Sequence, residues 1–243
     1  MDNKIWYIKR CSLFESLTTE QIERLEKRAL IRKFAKRSFV YLPTEPGQSV
    51  LVVARGRIKI KDITPDGRET ILAFIDEGEL FGELAILDEP SSRQEYAEAV
   101  VDSEIVVVPR EDLLWLMEQR PDIALSITKL VGLRRKRIEN RLRNVLFLSS
   151  RDRMIRTLVE LVETHGTING QEAAIHLPLS HQEIASLIGV TRETVTIVLG
   201  QLQSEGLVRI QRRRIQILDF PRLQHESSLA EGARAPVPKM SRL

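Results

Sequence analysis

Between Leu179 and Leu202 the apolar positions fall in two helical bursts, Ile184, Leu187 and Ile188, then Val195, Val198, Leu199 and Leu202, with Gly189 and Val190 between them. Spacings of three and four put each set on one helix face. Ser180 is followed three residues later by Glu183, a capped start, so the first helix is predicted from about His181 to Ile188. Gly189 can take the positive φ that a sharp turn between helices demands, Val190 is expected to plug that turn into the core, and Ala185 is small where the helices approach. Thr191 caps the second helix and leaves Arg192, Glu193 and Thr196 on its outer face near its start. Beyond Gly206, a helix stop, alternation at Val208 and Ile210 and again at Ile215 and Ile217 flanks Arg212, Arg213 and Arg214, which predicts a hairpin with a basic tip.

Upstream the pattern changes. A helix is predicted from about Thr18 to Leu30 with Ile22, Leu25 and Leu30 inward, followed by short β-runs at 50–53, 58–63, 70–75 and 104–108. Pro65-Asp66-Gly67 marks a hairpin turn, and Gly47, Gly56, Gly67 and Gly78 follow one another at 9, 11 and 11 residues. Such even punctuation of short strands predicts a β-sandwich or jelly-roll barrel. From Asp112 to Phe147 the period is helical again, with Pro121 at a break or first turn. Ala124, Val131, Ile138 and Val145 recur every seven residues and Leu142 joins them, while Arg134, Arg135, Lys136, Arg137, Arg141 and Arg143 form a face expected to be too basic to bury. So narrow a stripe, through Val131, Ile138, Leu142 and Val145, predicts pairing with a second copy of the same helix.

Composition narrows the classes. The 243 residues, 42% hydrophobic, suit two modest domains. No run of about 18 apolar residues and no secretory pattern is present, which predicts a cytoplasmic chain with no membrane partner. Residues 1–120 carry 18 Lys and Arg against 22 Asp and Glu, whereas residues 121–243 carry 19 against 12, placing a nucleic-acid surface in the rear half. The single Cys11 excludes an iron-sulfur cluster held by several thiolates of one subunit. His165, His176, His181 and His225 all lie in the second half without metal-ligand spacing, so neither a metal site nor a histidine-ligated haem in the first domain is predicted.

A short glycine-turned helix pair presents its second helix to the DNA major groove, where Arg192 can grip guanine and Glu193 can accept from cytosine. The three wing arginines would meet phosphates, adding affinity without sequence information. The plain alternatives are a helical hairpin facing water and a solvated charge run. In the front half Gly82, Glu83 and Leu84, with Arg93 a short way on, could close on a phosphorylated ligand, Gly82 through backbone N–H groups, Glu83 on a ribose hydroxyl and Arg93 on the phosphate. A tight turn with a surface arginine is the plain reading there.

Barrel, glycine-glutamate turn, long helix and winged helix-turn-helix, in that order over about residues 13–219, resemble the CRP/FNR family of bacterial transcription regulators. The resemblance is most specific at Phe81-Gly82-Glu83-Leu84-Ala85 and from Gln182-Glu183-Ile184 through Thr191-Arg192-Glu193-Thr194-Val195. It implies an α+β chain with a cyclic-nucleotide-binding-like jelly-roll sensor at 13–111, a dimerisation helix at 112–148, a winged helix-turn-helix at 149–219 and a flexible tail at 220–243. It further implies that Arg192, Glu193 and Thr196 read bases while His181, Gln182, Thr191 and Thr194 hold the DNA backbone with Arg212, Arg213 and Arg214. Implied partners are double-stranded DNA carrying an inverted repeat, a second copy of the chain, and RNA polymerase. Three departures bear on specificity. Ile197 stands where the cyclic-AMP receptor carries a further arginine, Gln94 and Glu95 follow Arg93 in place of Ser or Thr and then Ala, and Ile138 and Glu139 occupy the adenine-contacting places of the long helix. An altered nucleotide, another small acid, or no effector at all therefore stay open. A cyclic-nucleotide-binding subunit acting on a partner protein is the competing function. An enzyme ranks last, since no nucleophile, base and oxyanion set is present.

Overall fold

The computed structural model describes Tyr7 and residues 11–86, 92–211 and 214–232. The chain divides into two compact units, 1–138 and 139–243.

The first unit is built on two four-stranded antiparallel sheets. Its strands are β1 (Leu30–Phe34), β2 (Phe39–Tyr41), β3 (Ser49–Arg55), β4 (Ile58–Ile63), β5 (Glu69–Ile75), β6 (Leu80–Phe81), β7 (Tyr96–Ala99) and β8 (Ser103–Pro109). One sheet runs β1-β8-β3-β6 and the other β2-β7-β4-β5. Strand β3 reads as an unbroken apolar run because both of its faces are buried. Leu51 and Val53 meet Ile58, Phe81 and Ile105 in one cluster, while Val50, Val52 and Ala54 belong to a second cluster with helical residues. Those residues come from α1 (Thr19–Arg28), α2 (Arg110–Gln119) and the start of α3 (Pro121–Phe147). Thr18 caps α1 in a capping box with Gln21.

Three expectations are corrected here. Leu30 does not face inward on α1: the chain turns extended at Ala29, and Leu30 opens β1, 55% exposed and paired to Val107. The dimerisation helix expected at 112–148 is not one helix but is broken at Pro121, the break or first turn read from the sequence. Arg120, at φ −137° and ψ 88°, ends α2, whose Leu113 and Leu116 lie in the barrel-side core, and Pro121 opens a new helix. Nor is the basic face of α3 wholly exposed. Arg134 reaches the Glu83 carboxylate and the Leu80 carbonyl, and burial lowers the pKa of the Arg141 guanidinium against the opposing pull of the Glu160 charge. An inward guanidinium is tolerable where a carboxylate or carbonyl meets it.

In the second unit α4 (Ser150–His165) contributes Met154, Ile155, Leu158 and Val162 to the core. It is followed by β9 (Gly166–Asn169), β10 (Glu172–Ile175), α5 (His181–Ile188), α6 (Arg192–Ser204), β11 (Val208–Gln211) and β12 (Arg214–Ile217). The hairpin β11–β12 is not isolated, since β12 also pairs with β10 in a sheet of order β11-β12-β10-β9. The expected flexible tail is instead helical over its first half, as α7 (Phe220–Gly232). Asp219 accepts from the Arg222 N–H, Pro221 sits in the first turn where a missing N–H costs nothing, and Leu223 is fully buried. Glu226 bridges back to Arg151 of α4 at 2.8 Å. Residues 233–243 lie outside the described residues.

Replacing Leu223 with alanine is expected to destabilise the C-terminal unit by about 2–5 kcal/mol in urea unfolding, as deletion of a core leucine side chain does. A change within a few tenths of a kcal/mol would mean that α7 does not dock.

Candidate nucleic-acid interface

Each helix of the α5–α6 pair starts on a side-chain cap. The Ser180 hydroxyl accepts from the Glu183 N–H at 3.2 Å while the Glu183 carboxylate accepts from the Ser180 N–H at 2.8 Å. Thr191 accepts from the Thr194 N–H at 3.2 Å. Between them Gly189 takes φ +69° and its N–H donates to the Ala185 carbonyl at 2.9 Å, closing α5. Ile184, Ala185, Leu187 and Ile188 of α5 are buried, as are Val195, Val198, Leu199 and Leu202 of α6. Val190 is only half-buried, because the turn projects to the surface beside an exposed Gly189, so it does not plug the core.

Periodicity did not reveal Arg153. From α4 its guanidinium donates to the carbonyls of Ile188 at 2.9 Å and Gly189 at 3.3 Å, acceptors that the end of α5 leaves without helical partners. A lone arginine in an amphipathic helix carries no signal of such a contact.

Arg192, Glu193 and Thr196 are exposed on α6, as are Gln182 on α5 and Thr191 before α6, whereas His181 and Thr194 are half-buried. The Glu193 carboxyl titrates below the usual carboxylate range, held first by its own main-chain N–H, then by the Thr191 hydroxyl and Arg192. His181 Nδ1 stands 2.9 Å from the Thr196 hydroxyl, which donates to the Arg192 carbonyl at 3.0 Å. Ser180, His181, Gln182 and Arg192 line a cleft of about 400 Å³ whose far wall is Ile210 and Ile215 of the hairpin. Arg214 is exposed at the start of β12, and Arg212 and Arg213 lie outside the described residues.

In the first unit Gly82 takes φ +69°, and a Cβ added there would stand 2.5 Å from Arg93 Nη1. Arg93 is buried, donates to the carbonyl oxygens of Gly82 at 2.8 Å and of Ser49 at 2.5 Å, and lies 4.5 Å from the Tyr41 ring centre. The Tyr41 hydroxyl donates to Glu95 at 2.8 Å, and burial followed by the Glu95 charge raises its pKa well above the ordinary value. Glu83 is buried against Arg134, whereas Leu84, Gln94 and Ile138 are exposed. Gly82, Glu83 and Arg93 are thus brought together, but around internal partners. Burial pushes the Cys11 thiol up to about 11. Among the described residues no three metal-ligating side chains cluster, and no helix is long and apolar enough to cross a membrane.

Residues 31–120 match the cyclic nucleotide-binding domain family and residues 152–226 the Crp-like helix-turn-helix domain family. The chain is 30% identical over 203 residues to the cyclic AMP receptor protein of Thermus thermophilus, covering 84% of this chain and 90% of that one. It is 29% identical over 216 residues to the CRP-like cAMP-activated global transcriptional regulator of Mycobacterium tuberculosis, covering 89% and 96%. Among solved structures it is similar to FixK2 from Bradyrhizobium japonicum, with a TM-score of 0.73 and 24% identity over 86% of this chain and 99% of that one. It is also similar to the c-di-GMP responsive global regulator CLP of Xanthomonas campestris, with a TM-score of 0.71 and 26% identity over 83% and 99%.

Replacing Arg153 with methionine is expected to cost about 1–3 kcal/mol, since two carbonyls lose a charged donor. Chemical denaturation measures the loss, and amide exchange should rise at the turn between α5 and α6; unchanged exchange there would deny the clamp.

Proposed function

Since the chain belongs to the CRP/FNR family of bacterial transcription regulators, we propose that it acts as a homodimeric, sequence-specific DNA-binding regulator whose target is an inverted repeat. The observation that carries this reading is the first turn of α6. It is capped by Thr191, set by the left-handed Gly189, and leaves Arg192, Glu193 and Thr196 exposed at the leading end of a helix whose other face is core. A second helix enters the major groove by such a geometry, which supports a reading in which Arg192 meets guanine, Gln182, Thr191 and Thr194 meet the backbone, and Arg214 of the wing meets phosphate.

The dimer is supported by the later part of α3. Of the expected stripe, Val131 is half-buried and packs on the core of the first unit instead, whereas Ile138, Leu142 and Val145 are 54%, 58% and 43% exposed, apolar area that a second copy of the helix would cover. Two copies related by a two-fold axis give half-sites about one helical turn apart.

The sensor residues do not fit a cyclic-AMP phosphate as they stand. A phosphate would have to take Arg93 from the carbonyls of Gly82 and Ser49, with the Glu95 carboxylate nearby on Tyr41, and Glu83 is already engaged by Arg134. We therefore favour a barrel that holds the DNA-competent dimer with a different small acid or with none; any effector acts only through differential affinity for that state.

Selection of bound duplexes from a random library should enrich one inverted repeat, and affinity for it should fall steeply as salt rises. In that repeat Arg192→Ala is expected to relax preference at one guanine per half-site and to cost about 1–3 kcal/mol there. A variant with unchanged site preference would remove Arg192 from the reading set, and failure to enrich any sequence would overturn the function. Titration calorimetry with cyclic AMP should give no binding in the low micromolar range or tighter; such binding would contradict the sensor reading.

A further inference from the structure

On α6 the buried side chains Val195, Val198, Leu199 and Leu202 define one face, and the opposite face carries Glu193, Ile197 and Gly200. Ile197 is 61% exposed, although every other aliphatic side chain of α6 is buried. Nothing on its own helix covers it. Glu193, one turn before it, is itself exposed, and Gly200, one turn further on, has open space where a Cβ would be. Its neighbour Thr196 has its hydroxyl committed twice, giving its proton to the Arg192 carbonyl at 3.0 Å and meeting His181 Nδ1 at 2.9 Å. The threonine γ-methyl is the group left uncommitted.

We propose that Ile197 and the methyl of Thr196 form an apolar patch that receives the 5-methyl group of a thymine, so that each half-site contains one A·T pair selected by hydrocarbon contact. The inference rests on the DNA-reading function proposed above and names what that helix reads. Every base edge in the major groove offers hydrogen-bonding atoms, but only thymine offers a hydrocarbon. Against a purine edge, Ile197 would strip water from N7 and return no donor, a loss that the thymine methyl avoids. Discrimination thus comes from both sides, gained area on thymine and an unmet acceptor on guanine or adenine.

The test uses the full chain and the duplex enriched from a random library. Each thymine is replaced in turn by deoxyuridine, which removes only the methyl group, and binding is measured for the wild type, Ile197→Ala and Ile197→Arg. At one thymine per half-site the wild type should bind about threefold to tenfold more weakly without the methyl, the scale of one buried methyl group. Ile197→Ala should be insensitive to that replacement, and a library selected with Ile197→Arg should carry guanine at that pair. A scan in which no thymine matters, a half-site without thymine, or a methyl effect that persists in Ile197→Ala would overturn the patch while leaving sequence-specific DNA binding intact. If the wild type enriches no sequence, the DNA-reading function falls first and the patch with it.

Discussion

What the C-terminal unit presents depends on one backbone torsion, the φ of +69° at Gly189. A residue with a Cβ pays about 1–2 kcal/mol for that conformation, and without it the second helix would leave at another angle. The torsion is held from both sides. Arg153 takes the carbonyls that α5 leaves unpaired, and Thr191 takes a donor that α6 leaves unpaired, so two helix ends lying three residues apart are satisfied together. The direction of α6 is therefore a consequence of hydrogen-bond accounting at its start, and Arg192 and Ile197 inherit their positions from it.

The N-terminal unit resolves a different conflict, since it encloses charge. Lys59 and Lys61 are buried on β4 beside Glu98 of β7 and Glu69 of β5, with Lys61 Nζ 2.7 Å from Glu69 and 2.5 Å from Glu98. Desolvation works to lower the Lys61 pKa, yet the two carboxylates leave it raised. Among the described residues, the buried cations Lys59, Lys61 and Arg93 stand against the buried anions Glu83, Glu98 and Asp112. Enclosed charge is therefore balanced.

Legibility followed the strength of local signals. The two helices of the α5–α6 pair were readable because caps, a glycine and two apolar periods agree, although Val190 was not, and β4 and β5 were readable as short β-runs on either side of Pro65-Asp66-Gly67. Strand β7 was not, since Tyr-Ala-Glu-Ala has weak strand preference and owes its place to cross-strand pairing with β4 and β2. The hairpin β9–β10 did carry a signal, Asn169-Gly170, with Gly170 at φ +63°, but its flanking runs are short and half polar. Helix α7 was hidden because Pro221, with Pro236 and Pro238 further on in the sequence, read as loop, whereas Pro221 sits in the first turn of a helix. At the sensor turn the residue types were legible but their partners were not. Composition cannot say whether an arginine such as Arg93 faces a ligand or two carbonyls of its own barrel.

The wing is usually pictured as a separate finger, yet here its inner strand β12 is hydrogen-bonded on both edges, to β11 and to β10. Bending the finger would break a ladder that continues into β9. Arg214, exposed at the start of β12, is thus carried on a stiff lever, and little chain entropy remains to be lost there when it settles on a polyanion.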